Sequence, residues 1–344
     1  MNETDLSYCW ASSASLQSFL LRTVLGSVLF CLGLPGSLLC AYVFLRNSTR
    51  NQLTILLGSV ALFDSLFLIF LAVCDALFFG LEYLDYSFID HIFHSLFPPV
   101  LSVCRTFLFA SNYALIAAGM QRLLAVLGKN FCQSNSCCYV IAISLFSVVL
   151  QMPYMFQFEV NVNPNCPVGS PGRLSLKYNE LYFFDLYQKF VFVRTVVFEA
   201  ILVDLLLFLL AVWLSLKYSR LSEHNFSKAM LVVIWTCLAF SLLDGLLLYC
   251  RTFFGIHGTE EIYHIYSVLE DLTHVVVVTA ACVKYPIYCV FIEELRNETK
   301  RFACFWRPGY GRIQNYLHLH QVISESVDYP EEDLDHNAGT QLIT

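Results

Sequence analysis

Seven long apolar stretches follow one another along the chain and are separated by short polar connections. They cover residues 21–45, 52–79, 93–127, 137–158, 189–217, 229–250 and 265–292. A helix needs about 20 mostly apolar residues to cross a hydrocarbon core about 30 Å thick, and each stretch reaches that length. The pattern therefore predicts an all-α membrane protein, built as a seven-transmembrane helix bundle.

The distribution of Lys and Arg predicts the orientation of the bundle, because these residues stay on the cytoplasmic side. Twelve of the twenty lie in the first, third and fifth connections and after the seventh stretch, whereas five lie in the N-terminal segment and the even connections. The odd side is therefore expected to be cytoplasmic. With seven crossings, the N-terminus is then expected outside the cell and the C-terminus inside.

This orientation divides the chain into four predicted regions. Residues 1–20 form an extracellular N-terminus and 21–292 the transmembrane domain. Residues 293–308 carry apolar side chains at helical spacing beside a basic face, which predicts a short amphipathic helix at the interface. Residues 309–344 include the acidic run SESVDYPEEDLDH, which is typical of disorder.

The amino-acid composition is also typical of a membrane protein. The chain is 57% hydrophobic and 14% charged, against about 25% charged in soluble domains. A net charge of −7 gives no electrostatic support to nucleic-acid binding. Most of the fourteen cysteines lie inside apolar stretches, where a thiol acts as a small hydrophobe. No cofactor is predicted.

Four segments in order carry a family resemblance. They are GLPGSLL in the first span, LLGSVALFDSLFLI in the second, SNYALIAAGMQRLLAV in the third and KYPIYCVFIEELRNETKRFACFW in the seventh. Over about residues 21–305 the chain resembles rhodopsin-like G-protein-coupled receptors. The pair Pro98-Pro99, the segment QMPYMFQFE and a seventh span without Asn-Pro resemble the invertebrate FMRFamide-type neuropeptide receptors and their nematode relatives.

The resemblance implies a multi-pass receptor of the plasma membrane that binds an extracellular ligand, a neuropeptide, and activates a heterotrimeric G protein. Arg122 takes the place of the arginine in the Asp/Glu-Arg-Tyr motif, although Gln121 replaces the acid, and Tyr288 matches the tyrosine of Asn-Pro-x-x-Tyr. Arg122, Lys129 and Tyr288 are thus the candidate G-protein-coupling residues. Arg122 is otherwise an ordinary basic residue at the cytoplasmic interface.

Asp64 and Lys284 are predicted to meet inside the membrane. A mid-membrane charge costs several kcal/mol unless it finds a partner inside the bundle. In the resembled family the aspartate of span two faces a sodium pocket, and Ser111, eleven residues before Arg122, stands where a third pocket residue belongs. The prediction is a polar switch in which the Lys284 ammonium replaces sodium beside Asp64 and Ser111. The alternative is that Lys284 reaches the cytoplasmic interface.

Seven further charged residues lie in or near the outer halves of the spans and are candidates for a ligand pocket. The outward segments carry twelve acids against five bases, which favours a cationic ligand. Structural pairing, such as Arg105 with Asp75, is an equal alternative for any one of them. The candidates are Asp75, Arg105, Arg194, Glu199, Asp244, Glu270 and Asp271.

Three modifications are also predicted. The resemblance implies a disulfide at Cys166 in the second outer loop, but its usual partner position is Phe97, so Cys9–Cys166 is preferred over Cys104–Cys166 or a free Cys166. Asn2 begins an outward glycosylation sequon. Cys304, near the end of the amphipathic segment, is a palmitoylation candidate or a plain thiol.

Other functional classes have less support. A metal-dependent hydrolase needs a cluster of histidines and acids, but His91 and His94 have no carboxylate-rich partner motif, so no enzyme is expected. A transporter would show repeats and paired interrupted helices, and neither is apparent. A chemosensory receptor for a small molecule is the main alternative to a neuropeptide receptor.

Overall fold

The computed structural model describes residue 16 and residues 19–46, 52–75, 90–127, 136–162, 174–217, 225–256 and 260–305. Within these ranges, seven helices are long and apolar enough to cross a membrane. They are span one (Phe19–Arg46), span two (Gln52–Val73), span three (Leu96–Val126), span four (Cys137–Phe156), span five (Asp185–Leu216), span six (Asn225–Leu247) and span seven (Val268–Phe291). The predicted fold class is confirmed.

Several helices run past the apolar stretches that predicted them. The helix of span three begins at Asp90, that of span six ends at Ile256, and that of span seven begins at Glu260. Span five begins at Asp185, four residues before the predicted start at 189. The hydrophobic pattern marks only the part of a helix that needs lipid, so it underestimates helices that continue beyond the hydrocarbon.

Two spans contain π-helical segments. Span one begins with a π-helix at Phe19–Leu25 and continues as an α-helix over Gly26–Arg46. Span five consists of an α-helix at Asp185–Phe192, a π-helix at Val193–Ile201 and an α-helix at Leu202–Leu216. π-Helical turns are rare and often occur at functional sites. The first segment carries Arg22, which is partly buried, and the second carries Arg194, which is buried.

The connection between spans four and five contains a short antiparallel hairpin. A 3₁₀ turn at Met152–Phe156 leads into strand β1 (Phe158–Val162), which pairs antiparallel with strand β2 (Leu174–Tyr178). A second 3₁₀ turn, Glu180–Phe183, then leads into span five. Both strands contact the helix of span three. The hairpin thus lies at the end of the bundle that the distribution of Lys and Arg predicts to be outer.

The spans pack around span three. It contacts spans two, four, five and six, while span seven closes the bundle by contacting spans one and six. The main core includes Leu57, Leu115, Met230 and Ile234, none of which exposes more than 1% of its surface. Large apolar side chains cover the outside instead, among them Leu32 and Val149. An apolar exterior suits lipid and would cause a soluble protein to associate.

The chain divides into two units, Met1–Arg296 and Asn297–Thr344. All seven spans belong to the first unit. A separate helix, Glu293–Phe305, follows span seven, as the amphipathic segment at 293–308 predicts. Residues 306–308 and the tail at 309–344 lie outside the described residues, as does almost all of the N-terminal region at 1–20.

Candidate functional site

The centre of the bundle holds a buried polar triad from spans two, three and seven. The Lys284 Nζ atom lies 2.9 Å from each carboxylate oxygen of Asp64 and 3.1 Å from the Ser111 Oγ atom. Ser111 in turn donates a hydrogen bond of 2.5 Å to Asp64. None of the three exposes more than 5% of its surface. The structure therefore brings the three predicted switch residues together, and Lys284 does not extend to the interface.

The triad leaves no coordination shell for sodium. A sodium ion would need the Asp64 carboxylate and the Ser111 hydroxyl as ligands, because hard cations bind oxygen. The Lys284 ammonium already contacts all of these oxygens at hydrogen-bond distance. The residues present thus do not fit the metal that the resemblance implies. The ammonium supplies the positive charge from within the chain.

The inner end of span three differs from the resembled motif in its contacts as well as its sequence. The Gln121 amide donates a hydrogen bond of 3.0 Å to Gln52 on span two. The Nε atom of Arg122 is buried and has no hydrogen-bond partner among the described residues. Arg122 is therefore not held by an acid on its own helix turn.

Tyr288 is buried near the triad. It exposes 1% of its surface and packs edge-on against Phe44 of span one, with ring centroids 5.4 Å apart. Its hydroxyl has no hydrogen-bond partner in the described part of the chain. A buried polar group without a partner costs free energy, so Tyr288 would gain from any rearrangement that supplied one. Lys129, the remaining coupling candidate, lies outside the described residues.

Side-chain contacts of Arg22 and His274 connect span seven to spans one and two. The Arg22 Nε atom lies 2.5 Å from an oxygen of Asp271, and its Nη2 atom lies 3.5 Å from Glu270. The His274 Nε2 atom lies 2.6 Å from Asp75 on the extension of span two. Asp75 thus contacts His274 and not Arg105, so the suggested structural pair of Arg105 with Asp75 is wrong. These contacts tie spans one, two and seven together.

A second outer cluster lies where spans three, four and five meet. The Arg105 and Arg194 guanidinium carbons lie 4.6 Å and 5.1 Å from the centre of the Tyr154 ring. Glu199 lies beside both, 3.9 Å from Arg105 Nη1 and 3.3 Å from Arg194 Nε. Gln151 donates a hydrogen bond of 2.7 Å to Glu199. We call these five residues the arginine cluster.

The remaining pocket candidate, Asp244 on span six, acts electrostatically on Arg105. The seven predicted pocket residues therefore do not form one group. Asp75, Glu270 and Asp271 belong to the contacts around span seven, and Arg105, Arg194 and Glu199 belong to the arginine cluster. The sequence predicts that all of them lie near the outer end, but it does not show which of the two groups of contacts each one joins.

Four participating residues were not predicted, namely Arg22, His274, Gln151 and Tyr154. The smallest separation in sequence between one of them and its partner is forty residues, between Tyr154 and Arg194, and Arg22 and Asp271 are 249 apart. No local pattern marks such contacts. The one available signal is the rarity of charged residues within apolar stretches, and it applies to Arg22 alone among the four.

The modification candidates are only partly described. Asn2, Cys9 and Cys166 lie outside the described residues, and Cys304 lies in the helix Glu293–Phe305. Cys104 is a buried free thiol whose Sγ atom lies 3.8 Å from the Phe67 carbonyl oxygen. The alternative disulfide Cys104–Cys166 is therefore absent. Within the described ranges, no group of three or more His, Cys, Asp and Glu side chains is placed to hold a metal ion.

Comparison of the chain with protein-family models and with curated proteins gives no match. The classification therefore depends on the helices themselves, on their length, their composition and their apolar outer surface. The chain is a seven-helix, multi-pass membrane protein. Its finer assignment depends on the polar contacts described above.

Proposed function

We propose that this membrane protein is a G-protein-coupled receptor of the plasma membrane that binds an extracellular neuropeptide and activates a heterotrimeric G protein. The main support is the buried contact of Asp64, Ser111 and Lys284, which joins spans two, three and seven at the centre of the bundle. Charges at such depth are expensive and usually serve a function. In a receptor, they hold the helices in one arrangement until a ligand shifts the equilibrium.

The two ends of the bundle offer different surfaces for two partners. Charged and aromatic side chains gather at the outer end, in the arginine cluster and around span seven. At the inner end, the Nε atom of Arg122 has no hydrogen-bond partner among the described residues, and Tyr288 is buried on span seven. An outer binding site coupled to an inner contact surface is the arrangement that transmembrane signalling needs.

A receptor for a small chemosensory molecule is the alternative, and the polar outer clusters would serve either ligand. The strands β1 and β2 favour the peptide. They place an antiparallel hairpin beside the outer end of span three, and strand edges are surfaces on which extended peptides dock. A transporter or a hydrolase has no comparable support from the described residues.

The test is ligand-dependent GTP exchange on a heterotrimeric G protein, after a peptide-library screen with a promiscuous G protein has supplied a ligand. We expect Arg122→Ala to lower the exchange rate at least tenfold while peptide affinity and surface expression stay close to wild type. Arg46→Ala is the matched control, because Arg46 ends span one and bonds only to Tyr42 of its own helix among the described residues. Peptide binding without GTP exchange in the wild type would refute the proposal.

A further inference from the structure

The arginine cluster contains buried hydrogen-bond donors that lack partners. Arg194 exposes 1% of its surface, yet its Nε and Nη1 atoms make no hydrogen bond to the described residues, and Nε has only the ion-pair contact of 3.3 Å with Glu199. Its Nη2 atom donates to Thr195 at 3.1 Å. A guanidinium has five N–H donors and no acceptor, so a buried arginine in this state lacks partners for most of its donors.

Arg105 adds a second guanidinium with few partners. Its nearest described carboxylate, Glu199, lies 3.9 Å away, which exceeds hydrogen-bond distance. Asp244 contributes attraction at longer range. One carboxylate, Glu199, thus lies between two arginines, and its Oε1 atom is also engaged by Gln151.

The cluster is open on the Arg105 side. The Arg105 side chain is 38% exposed and that of Glu199 is 21% exposed, whereas Arg194 lies behind them at 1%. Both guanidinium groups contact the Tyr154 ring. The π-helix Val193–Ile201 places Arg194 and Glu199 in the same segment of span five.

We infer that the arginine cluster is a binding subsite for an oxyanion, such as the carboxylate of a peptide or a small-molecule ligand. An oxyanion accepts charge-assisted and often bidentate hydrogen bonds from guanidinium groups, and it would supply the acceptors that Arg194 and Arg105 lack. The inference rests on the proposed function only in naming the oxyanion as part of the receptor's ligand.

The acidic character of the outward segments does not oppose this site. Solvent-exposed charges farther away than about 8 Å are largely screened at physiological ionic strength, so the groups in contact with the site have the larger effect on which ligand binds. Here these groups are two arginines with Glu199 and, at longer range, Asp244. A ligand with both a cationic group and an oxyanion would place the cation near the outward acids and the oxyanion at the arginine cluster.

Binding of benzoate to the purified full-length protein tests the inference without a G protein or a known ligand. The protein is placed in nanodiscs of phosphatidylcholine and titrated by calorimetry, with sodium chloride replacing sodium benzoate at equal ionic strength. We expect saturable binding that Arg194→Gln and Arg105→Gln each weaken about tenfold or more, since each removes a charged donor. Arg46→Gln is the matched control and should bind benzoate like the wild type, because Arg46 ends span one and contacts Tyr42 of its own helix.

Glu199→Gln distinguishes an anion site from a purely structural ion pair. In an anion site, loss of the competing carboxylate strengthens benzoate binding severalfold, and benzoate raises the unfolding temperature of this variant more than that of the wild type. Thermal unfolding also checks that each variant is folded. Absence of saturable binding to the wild type, or equal binding by wild type and Arg194→Gln, would overturn the inference.

A second nanodisc series identifies the source of the oxyanion. If phosphatidylglycerol in the bilayer abolishes benzoate binding to the wild type, a lipid headgroup supplies the oxyanion. If binding persists, a soluble ligand supplies it. Failure of GTP exchange would leave these measurements unchanged, so the subsite and the proposed function are tested separately.

Discussion

Lys284 shows how a single residue can decide the interior of a membrane protein. An ammonium at mid-membrane is stable only with a partner inside the bundle, and Asp64 is the single acid of span two. Contact with both carboxylate oxygens and with Ser111 satisfies the three donors of the ammonium. The same contacts hold spans two, three and seven in register, so the charge contributes to specificity as well as to stability.

Lys284→Ala should lower the free energy of unfolding by about 3–5 kcal/mol, because it leaves the Asp64 carboxylate buried without its cation. The double variant Asp64→Leu/Lys284→Met should recover most of this loss, since neither charge then remains buried. Thermal unfolding in detergent measures both.

Lys189→Ala is the control. Lys189 pairs with Asp185 at 2.6 Å, but both are at least 70% exposed, so the loss should stay below about 0.5 kcal/mol. Equal losses for the two lysine variants would contradict this account.

Sodium should have no specific effect on the wild type, because the Lys284 ammonium contacts the oxygens that a sodium ion would need. Unfolding temperatures in sodium chloride and in N-methylglucamine chloride at equal ionic strength are expected to agree. Lys284→Ala should instead be stabilised by sodium, since it frees the Asp64 carboxylate. A sodium-specific stabilisation of the wild type would show that the ammonium does not fill this place.

At the scale of the elements, spans one and seven approach each other closely through two glycines of span one. A Cβ atom added to Gly33 would lie 2.2 Å from the Cys282 Sγ atom, and one added to Gly36 would lie 2.4 Å from the Tyr285 ring. Small residues at helix contacts in membranes allow this proximity. The close approach of spans one and seven also lets Arg22 contact Asp271 and lets Phe44 contact Tyr288.

Gly36→Ala should therefore destabilise the protein by about 1–3 kcal/mol, the usual cost of overpacking. The Tyr285 ring would have to move from its place against span one. Gly245→Ala in span six is the matched control, since a Cβ atom there meets nothing within 4 Å. Its stability should equal or exceed that of wild type. Thermal unfolding of the two variants side by side checks the difference, and an unaffected Gly36→Ala would show that the helices are not in close contact.

At the scale of the whole molecule, seven spans within the described residues predict that the two chain ends lie on opposite sides of the membrane. The seven helices enclose a core with polar contacts at two depths, one central and one outer. Large apolar side chains such as Leu32 and Val149 are exposed on the outside of the spans. This arrangement suits a signal that enters at one face and leaves at the other.

An epitope tag at the N-terminus should be accessible to antibody on intact cells, and a tag at the C-terminus only after permeabilisation. The positive-inside distribution of Lys and Arg supplies the physical reason. Treatment with a glycosidase should also shift the gel mobility of the wild type but not of Asn2→Gln. Detection of both tags from the same side would exclude seven crossings.

Local sequence was enough to predict the class of fold and one internal contact. Apolar length alone specifies a membrane span, because the thickness of the bilayer sets it, and a charge in mid-membrane requires a partner, which Asp64 and Lys284 supply to each other. The outer contacts instead depend on how the helices pack. Arg105 met Glu199 and Tyr154, and Asp75 met His274, because several charges at similar depth have several permitted partners. Helix packing and the π-helical segments select among them, and neither follows from local sequence.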